Sequence, residues 1–409
     1  MSLKIVIIGN IVPEPNSSAA GKRIIQLMTL CLDFGYQVQF WSECHPGEFS
    51  FDLRSLNIDL KVIQTNDESI VKFLIEENPK VVLFDRFMSE EKFGWRVAEI
   101  LPETVRILDS EDLHFLRDFR LNKFLKTEIN YLDIVSSDIF QREISSMYRC
   151  DLILTISEFE MKLLIETIGF PAKLLYYLPI LTERTSKLPA LFEKRNDFCF
   201  IGNFYHKPNI DCVSYLKNEI WPLIKLQLPE SKLYIYGAYV NQNIFNLQDK
   251  KSGFVVIGRA DSVIDVFSKH KVLLAPLRFG AGLKGKLIDA MENGIPSITT
   301  SIGAEGISCE NYWNGIVSNN PVELADAAIY LHNHKLNWIQ SQIKGYKIIN
   351  SRFDKQLFAM DFKLRLEDLF LNIKAIRRRN FIGAILLRNQ NLATKYMSKW
   401  IEEKNKKPQ

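Results

Sequence analysis

Short apolar runs alternate with amphipathic stretches along the whole chain. Lys4 to Asn10 carries Ile5-Val6-Ile7-Ile8 and predicts a first buried strand. In the loop Ile11 to Arg23, Pro13 and Pro15 bar a helix at its start, while Ser17 or Ser18 can cap one just after. Ile24, Ile25, Leu27, Met28 and Leu30 through Leu32 form the buried side of that helix, which Gly35 ends. Val38–Trp41, Leu60–Gln64, Val81–Asp85 and Val105–Leu108 read as strands, with helical residues 68–78 between the middle two. A long mixed helical stretch, Leu125–Met147, leads to a strand at Cys150–Ser157. Ser157-Glu158-Phe159-Glu160 then opens a helix with capping character. Leu175–Ile180 is the last strand of this series.

The pattern restarts at Phe198-Cys199-Phe200-Ile201-Gly202-Asn203: strand, glycine turn, helix. Val213, Leu216 and Ile220 mark the helix, with Trp221-Pro222 predicted as its end. Leu233–Gly237, Phe254–Gly258, Val272–Ala275, Ser297–Thr300 and Gly315–Val317 follow as strands, and Val322–Leu331 as an amphipathic helix. Strands alternating with helices predict an α/β chain with parallel sheets. Two such series predict two Rossmann-like domains facing a central cleft. The first is residues 1–180, and residues 181–197 are a linker. The second is 198–360, and 361–409 form C-terminal helices and a basic tail.

The chemistry concentrates in Pro276 to Gly306. A strand there feeds a loop holding Gly280, Gly282 and Gly285 interleaved with Arg278, Lys284 and Lys286. Leu287, Ile288 and Met291 recur at helical spacing behind it, and Asn293-Gly294-Ile295-Pro296 stops the helix. Glycines let backbone N–H groups approach an anion, and a helix N-terminus adds a favourable dipole. Several cations over one loop suit a diphosphate. The loop is neither G-x-G-x-x-G nor G-x-x-x-x-G-K-[ST], so the dinucleotide and P-loop fingerprints fail. Read alone, Lys284 and Lys286 are equally the solvated start of a βαβ helix. A second glycine turn, Thr299-Thr300-Ser301-Ile302-Gly303-Ala304-Glu305-Gly306, favours the ligand reading.

This stretch resembles the donor-binding segment of group 1 glycosyltransferases, which have the two-lobed GT-B architecture. Many members carry Glu, seven residues, Glu; in that register this chain has Ala281 and Asp289, so the first acid is lost and the second shortened. A subgroup with a G-x-G-x-K loop shows a similar pattern. The resemblance implies that Arg278 and Lys284 hold a diphosphate, that Gly282 gives close approach, and that Asp289 meets the ribose. The turn Gly202 to Asp211 is similar to the subgroup's second-lobe opening, G-x-x-x-x-x-P-N-x-D, which implies Gly202 and Asn203 near the donor's phosphates or sugar. His206 is either a phosphate donor or an exposed loop histidine. Arg259, in Gly258-Arg259-Ala260-Asp261, lies where the family places the nucleotide base; it is otherwise an exposed arginine beside a helix-capping Asp261.

On the first lobe, Asp109-Ser110-Glu111-Asp112-Leu113-His114-Phe115-Leu116-Arg117 resembles the family's D-x-x-D-x-H-x-L-R segment. Asp112 and His114 are the candidates for acceptor or sugar contacts, and the alternative is a helix capped by Asp109 or Ser110. Gly21, with Lys22 and Arg23, corresponds to the family's first glycine turn, or is a plain loop carrying charge. Ser157 is read as a cap. The resemblance implies transfer of a sugar from a nucleotide-diphosphate donor to a carbohydrate, lipid-linked or protein hydroxyl, with retention and without a metal. The sugar nucleotide is then a co-substrate rather than a cofactor. A GT-B epimerase or phosphorylase, or a non-catalytic GT-B partner that binds a sugar nucleotide, are the other readings; the loss at Ala281 supports the last.

Bulk properties fit this picture. The 409 residues are 47% hydrophobic and 24% charged, enough for two domains, and a net charge of +4 gives no argument for nucleic acid. The N-terminus runs straight into a predicted strand that is too short for a signal peptide and lacks a cleavage site, and no apolar run reaches membrane-spanning length. Cys31, Cys44, Cys150, Cys199, Cys212 and Cys309 are scattered, suggesting neither zinc site nor disulfide framework, and a reducing cytoplasm is the simplest compartment. Residues 371–409 carry ten Lys and Arg against two acids, a net of +8 that leaves −4 for the remainder. With Phe381-Ile382-Gly383-Ala384-Ile385-Leu386-Leu387 between its basic clusters, this tail either docks back on the first lobe or lies on the inner face of an anionic membrane.

Overall fold

The computed structural model describes residues 3–66, 68–125, 131–184, 191–307 and 312–388, with 396–398, 400, 401 and 404 of the tail. Cys309, residues 185–190 of the 181–197 linker and most of the tail beyond 388 lie outside the described residues.

The two series of strands form two separate parallel sheets. The first comprises β1 (Lys4–Gly9), β2 (Gln37–Ser42), β3 (Asp59–Val62), β4 (Val81–Asp85), β5 (Val105–Asp109), β6 (Leu152–Thr155) and β7 (Leu175–Tyr177). Their order is β3-β2-β1-β4-β5-β6-β7. The second comprises β8 (Asn196–Ile201), β9 (Leu233–Tyr236), β10 (Phe254–Gly258), β11 (His270–Ala275), β12 (Ser297–Thr299) and β13 (Gly315–Val317), in the order β10-β9-β8-β11-β12-β13. In each sheet the order reverses beside the first strand, between β1 and β4 and between β8 and β11, and such a point opens a crevice at the strands' carboxyl ends.

Helices cover both faces of each sheet, so the central strands are apolar without alternation: Ile5 to Ile8 and Val81 to Phe84 are all buried. Ser18 caps the helix Ala19–Asp33 by accepting from Gly21 N, and Ser157 caps Glu158–Lys162 by accepting from Glu160 N, as their positions predicted. Asp109 and Ser110 are not caps. Asp109 is the last residue of β5, buried against Arg23 at 3.1 Å, and the Ser110 hydroxyl donates to Leu154 O at 2.9 Å. The following helix starts later, at His114.

Within the mixed helical stretch 125–147, Tyr131–Ser136 and Asp138–Arg149 are separate helices, divided where Ser137 caps the second. One helical expectation changes. Trp221-Pro222 does not end its helix: Lys207–Tyr215 widens into a π turn at Leu216–Ile220 and continues through Trp221–Gln227. Proline cannot donate to the ladder, and the wide turn, in which Trp221 N donates to Leu216 O, carries the chain past it.

The helix Ala359–Arg379 crosses back onto the first lobe, burying Phe362, Leu366, Leu369 and Ile373 in the core that contains β1. Arg377 fixes its far end on Asp151 at 2.7 Å. The helix Phe381–Leu387 packs on Asp138–Arg149 through buried Gly383, while Phe381, Ile382 and Ile385 remain exposed. The docking half of the tail expectation therefore holds for the residues up to 388.

Candidate functional site in the inter-lobe cleft

Gly202 and Asn203 leave β8, and residues 276–284 leave β11, so both loops start at the second sheet's reversal point. Facing them, residues 15–20 follow β1, Arg86 follows β4, and Glu111 and Asp112 follow β5. The cavity between the two sets has a volume of about 250 Å³.

The loop after β11 sets the second-lobe side. Gly282 has φ +63, a conformation open to glycine, and its N–H donates across the cleft to Glu160 Oε1 at 2.7 Å. This turn reverses the chain so that Lys284 and Lys286 both reach the cavity at the start of the helix Gly285–Glu292. The Lys284 amine donates to Gly282 O at 2.8 Å, and the Lys286 amine donates to Asn209 Oδ1 at 2.7 Å over the Phe200 ring. Neither forms an ion pair among the described residues. Burial pushes both amines down, Lys286 to about 8, because little water is left to solvate the charge. Asn209 is itself held by donating to Asn203 O at 2.7 Å. A Cβ on Gly202 would lie 2.9 Å from the Lys286 nitrogen, so glycine leaves room for that amine.

The first lobe fastens this loop. Arg120 makes a two-point pair with Glu305 at 2.7 and 2.8 Å and also donates to Gly280 O at 2.8 Å. Glu160 Oε1 accepts from Leu113 N at 3.2 Å as well as from Gly282 N, bridging the lobes. Burial, reinforced by the nearby Asp112 carboxylate, raises the Glu160 carboxyl well above its usual range. Asp112 behaves oppositely: burial alone would raise it, but the Arg117 guanidinium at 2.8 Å overrides this and holds it low. Lys22 reaches Asp289 at 2.6 Å and Glu292 at 3.3 Å. His206 lines the cavity, and loss of water around it and then Arg117 push it below its ordinary value.

With that geometry in place, sequence comparison is decisive for the second lobe: residues 195–334 match the family described as glycosyl transferases group 1. It is a group 1 glycosyltransferase domain. A Klebsiella pneumoniae protein described as an uncharacterized 44.6 kDa protein in the cps region is 23% identical over 172 residues, which is 40% of this chain and 44% of that protein. The match thus spans less than half of that relative's length. Among solved structures, TarM of S. aureus aligns with a TM-score of 0.68 at 11% identity, over 89% of this chain and 99% of that one. Anabaena HepE in complex with UDP-glucose aligns at 0.65 and 12% identity, over 90% and 100% of the two chains. The sucrose-phosphate synthase of Thermosynechococcus elongatus aligns at 0.68 and 13% identity, over 90% and 99%. These likenesses give the GT-B fold to both lobes.

The predicted site residues divide. Lys284, Gly282, Gly202, Asn203, Asp289 and Asp112 all line the cleft. Asn203 also crosses it, donating to Ser17 O at 3.2 Å. Arg278 does not line it. Asp211 takes its guanidinium at 2.5 and 2.9 Å, and the rings of Phe124 and Tyr215 flank it, so its charge is satisfied elsewhere. His114 is buried behind Asp112, with Nδ1 3.1 Å from Asp112 O and its ring against the edge of Phe87. Arg259 stacks on first-lobe Phe49, 3.5 Å from the ring centre, and is a contact between lobes rather than part of the cavity lining. Gly21 sits in the first helical turn outside the cavity; a Cβ there would meet Glu14 O at 2.5 Å, so its small size serves loop packing.

Sequence reasoning passed over Lys286, Asn209, Glu160, Arg120, Glu305 and Glu111 as site residues. Lys286 was legible as one of three cations in the loop, and Asn209 as part of the P-N turn. The others depend on contacts more than 100 residues apart along the chain, as in Glu160 with Gly282 and Arg120 with Glu305, or on an unmatched charge, and neither leaves a local pattern.

Proposed function

We propose that this protein transfers a sugar from a nucleotide-diphosphate donor to a hydroxyl group of an acceptor, in the assembly of a polysaccharide or related glycan. The observation that carries the reading is the pair of amines, Lys284 and Lys286, in the cleft without carboxylate partners among the described residues. Two largely desolvated cations beside a helix N-terminus are a poor arrangement for an empty protein and a good one for a bound diphosphate. When the bond between the anomeric carbon and the diphosphate breaks, negative charge grows on the leaving oxygen, and these amines stabilise it in place. The first-lobe contacts to Gly280, Gly282 and Glu305 close the site and exclude water that would otherwise take the sugar.

The TarM structure is a complex with UDP and the HepE structure one with UDP-glucose, which makes uridine diphosphate sugars the first donors to try. The Klebsiella relative's cps setting supports the polysaccharide context. Retention at the anomeric carbon follows from the family likeness and is part of the same proposal. Release of nucleoside diphosphate from a panel of sugar nucleotides, with and without sugar acceptors, tests it. The reading expects release with at least one donor, lowered at least ~100-fold by Lys284→Met. A folded protein that binds sugar nucleotides and releases none is a binding partner instead.

A further inference from the structure

The first-lobe floor of the cleft contains a carboxyl group with no ion-pair partner among the described residues. Three arginines there are each engaged: Arg23 with Asp109 at 3.1 Å, Arg86 with Asp85 at 2.7 Å, and Arg117 with Asp112 at 2.8 Å. Glu111 is the fourth carboxyl group, and it lines the cavity. It is 8% exposed, and its Oε1 is buried with no hydrogen-bond partner among the described residues. An unmatched buried carboxyl oxygen is costly unless something completes it.

Its backbone supports the same conclusion. Glu111 has φ +60 and Arg86 has φ +65, left-handed conformations that non-glycine residues rarely adopt. Both residues directly follow or lie near the carboxyl ends of adjacent strands, β4 and β5, and both line the cavity. Strain repeated at neighbouring strand ends that face a cleft is what a site produces when it aims side chains at a ligand.

We propose that Glu111 is the acceptor-binding residue: its carboxyl group pairs with a hydroxyl of the incoming neutral sugar, and with Arg23, Arg86 and Arg117 already engaged no free cation stands beside it to take an acceptor phosphorylated at that position. This rests on the transferase reading above. The donor's diphosphate belongs to Lys284 and Lys286 on the opposite wall, so donor and acceptor are met by different walls of the cleft. Around Glu111, burial and the Asp109 and Asp85 carboxylates act to keep its proton on, while Arg86 and Arg23 act to remove it, and the balance lies on the raised side. The Glu111 carboxyl therefore holds its proton to higher pH than an ordinary glutamate, and the acceptor hydrogen bond changes as that proton leaves.

The test uses the full-length chain and its Glu111→Gln and Glu111→Ala forms. A donor is first chosen by thermal shift from UDP, GDP, ADP and dTDP sugars. Nucleotide release is then measured against p-nitrophenyl glycosides, and against free sugars paired with their 6-phosphates. The expected result is an acceptor KM raised at least tenfold in Glu111→Gln, with donor KM and the thermal shift by the nucleotide unchanged. The pH dependence of acceptor KM flattens in that variant, and discrimination against the 6-phosphate remains. An unchanged acceptor KM and pH profile in both variants overturns the proposal. So does a parallel loss of donor affinity in Glu111→Gln, which would make the residue merely structural. Failure of the parent chain to release nucleotide with any pair overturns the transferase reading first, and this inference with it.

Discussion

At the scale of single residues, charge type says less than charge partnership. Arg278, Lys284 and Lys286 sit within nine positions of one loop, yet Arg278 is neutralised by Asp211 while the two lysines face the cavity unpaired. A guanidinium between two aromatic rings and a carboxylate is a structural tie. Arg278→Ala is accordingly expected to cost roughly 1 to 2 kcal/mol of stability, read by denaturant unfolding, and to change nucleotide affinity less than about threefold. The lysines should do the reverse. A buried amine whose folded value is depressed weakens the folded state while it is protonated, so stability rises with pH from about 8 toward the ordinary lysine range. Replacing Lys286 by Met removes that penalty and should raise the melting temperature of the free protein at pH 7 while weakening nucleotide binding.

At the scale of elements, the glycine-rich turn is the part whose geometry leaves least freedom. Gly282 combines φ +63 with a position where a Cβ would come 2.7 Å from the Asp112 Cβ of the other lobe. Gly282→Ala should therefore lower nucleotide affinity at least ~10-fold through incomplete closure, with the second lobe's own folding little changed; unaltered affinity would show that the turn need not approach the first lobe. This turn also shows what the sequence reveals. Strand, glycine loop, helix was readable, because apolar runs and glycines record local backbone needs, and both sheets follow from the same signal. Where Arg278 would point was not, because Asp211 lies 67 residues away and only the packed lobe brings it there. Likewise, the π turn before Pro222 kept a helix going that a proline rule would end.

At the scale of the whole molecule, the two lobes are joined through ionisable groups. Glu160 accepts from Gly282 and Leu113, and its folded carboxyl, raised by burial and Asp112 to about 8, lies above its unfolded value. Such a group contributes stability fully below the unfolded carboxylate range and loses it as pH rises toward 8. Glu160→Gln keeps an acceptor for the two N–H groups and does not titrate. Its melting temperature should match the parent near pH 5 and exceed it increasingly up to pH 8; a constant difference across that range would contradict the assignment.

The central claim is that Lys284 and Lys286 hold the donor's diphosphate between the lobes. Calorimetric titration of nucleoside diphosphates, UDP first, into the parent chain and into Lys284→Met/Lys286→Met tests it most directly. The account predicts binding by the parent that weakens as pH rises above about 8, and an affinity at least ~100-fold lower in the double variant. Equal affinity in the two proteins at pH 7 would contradict it.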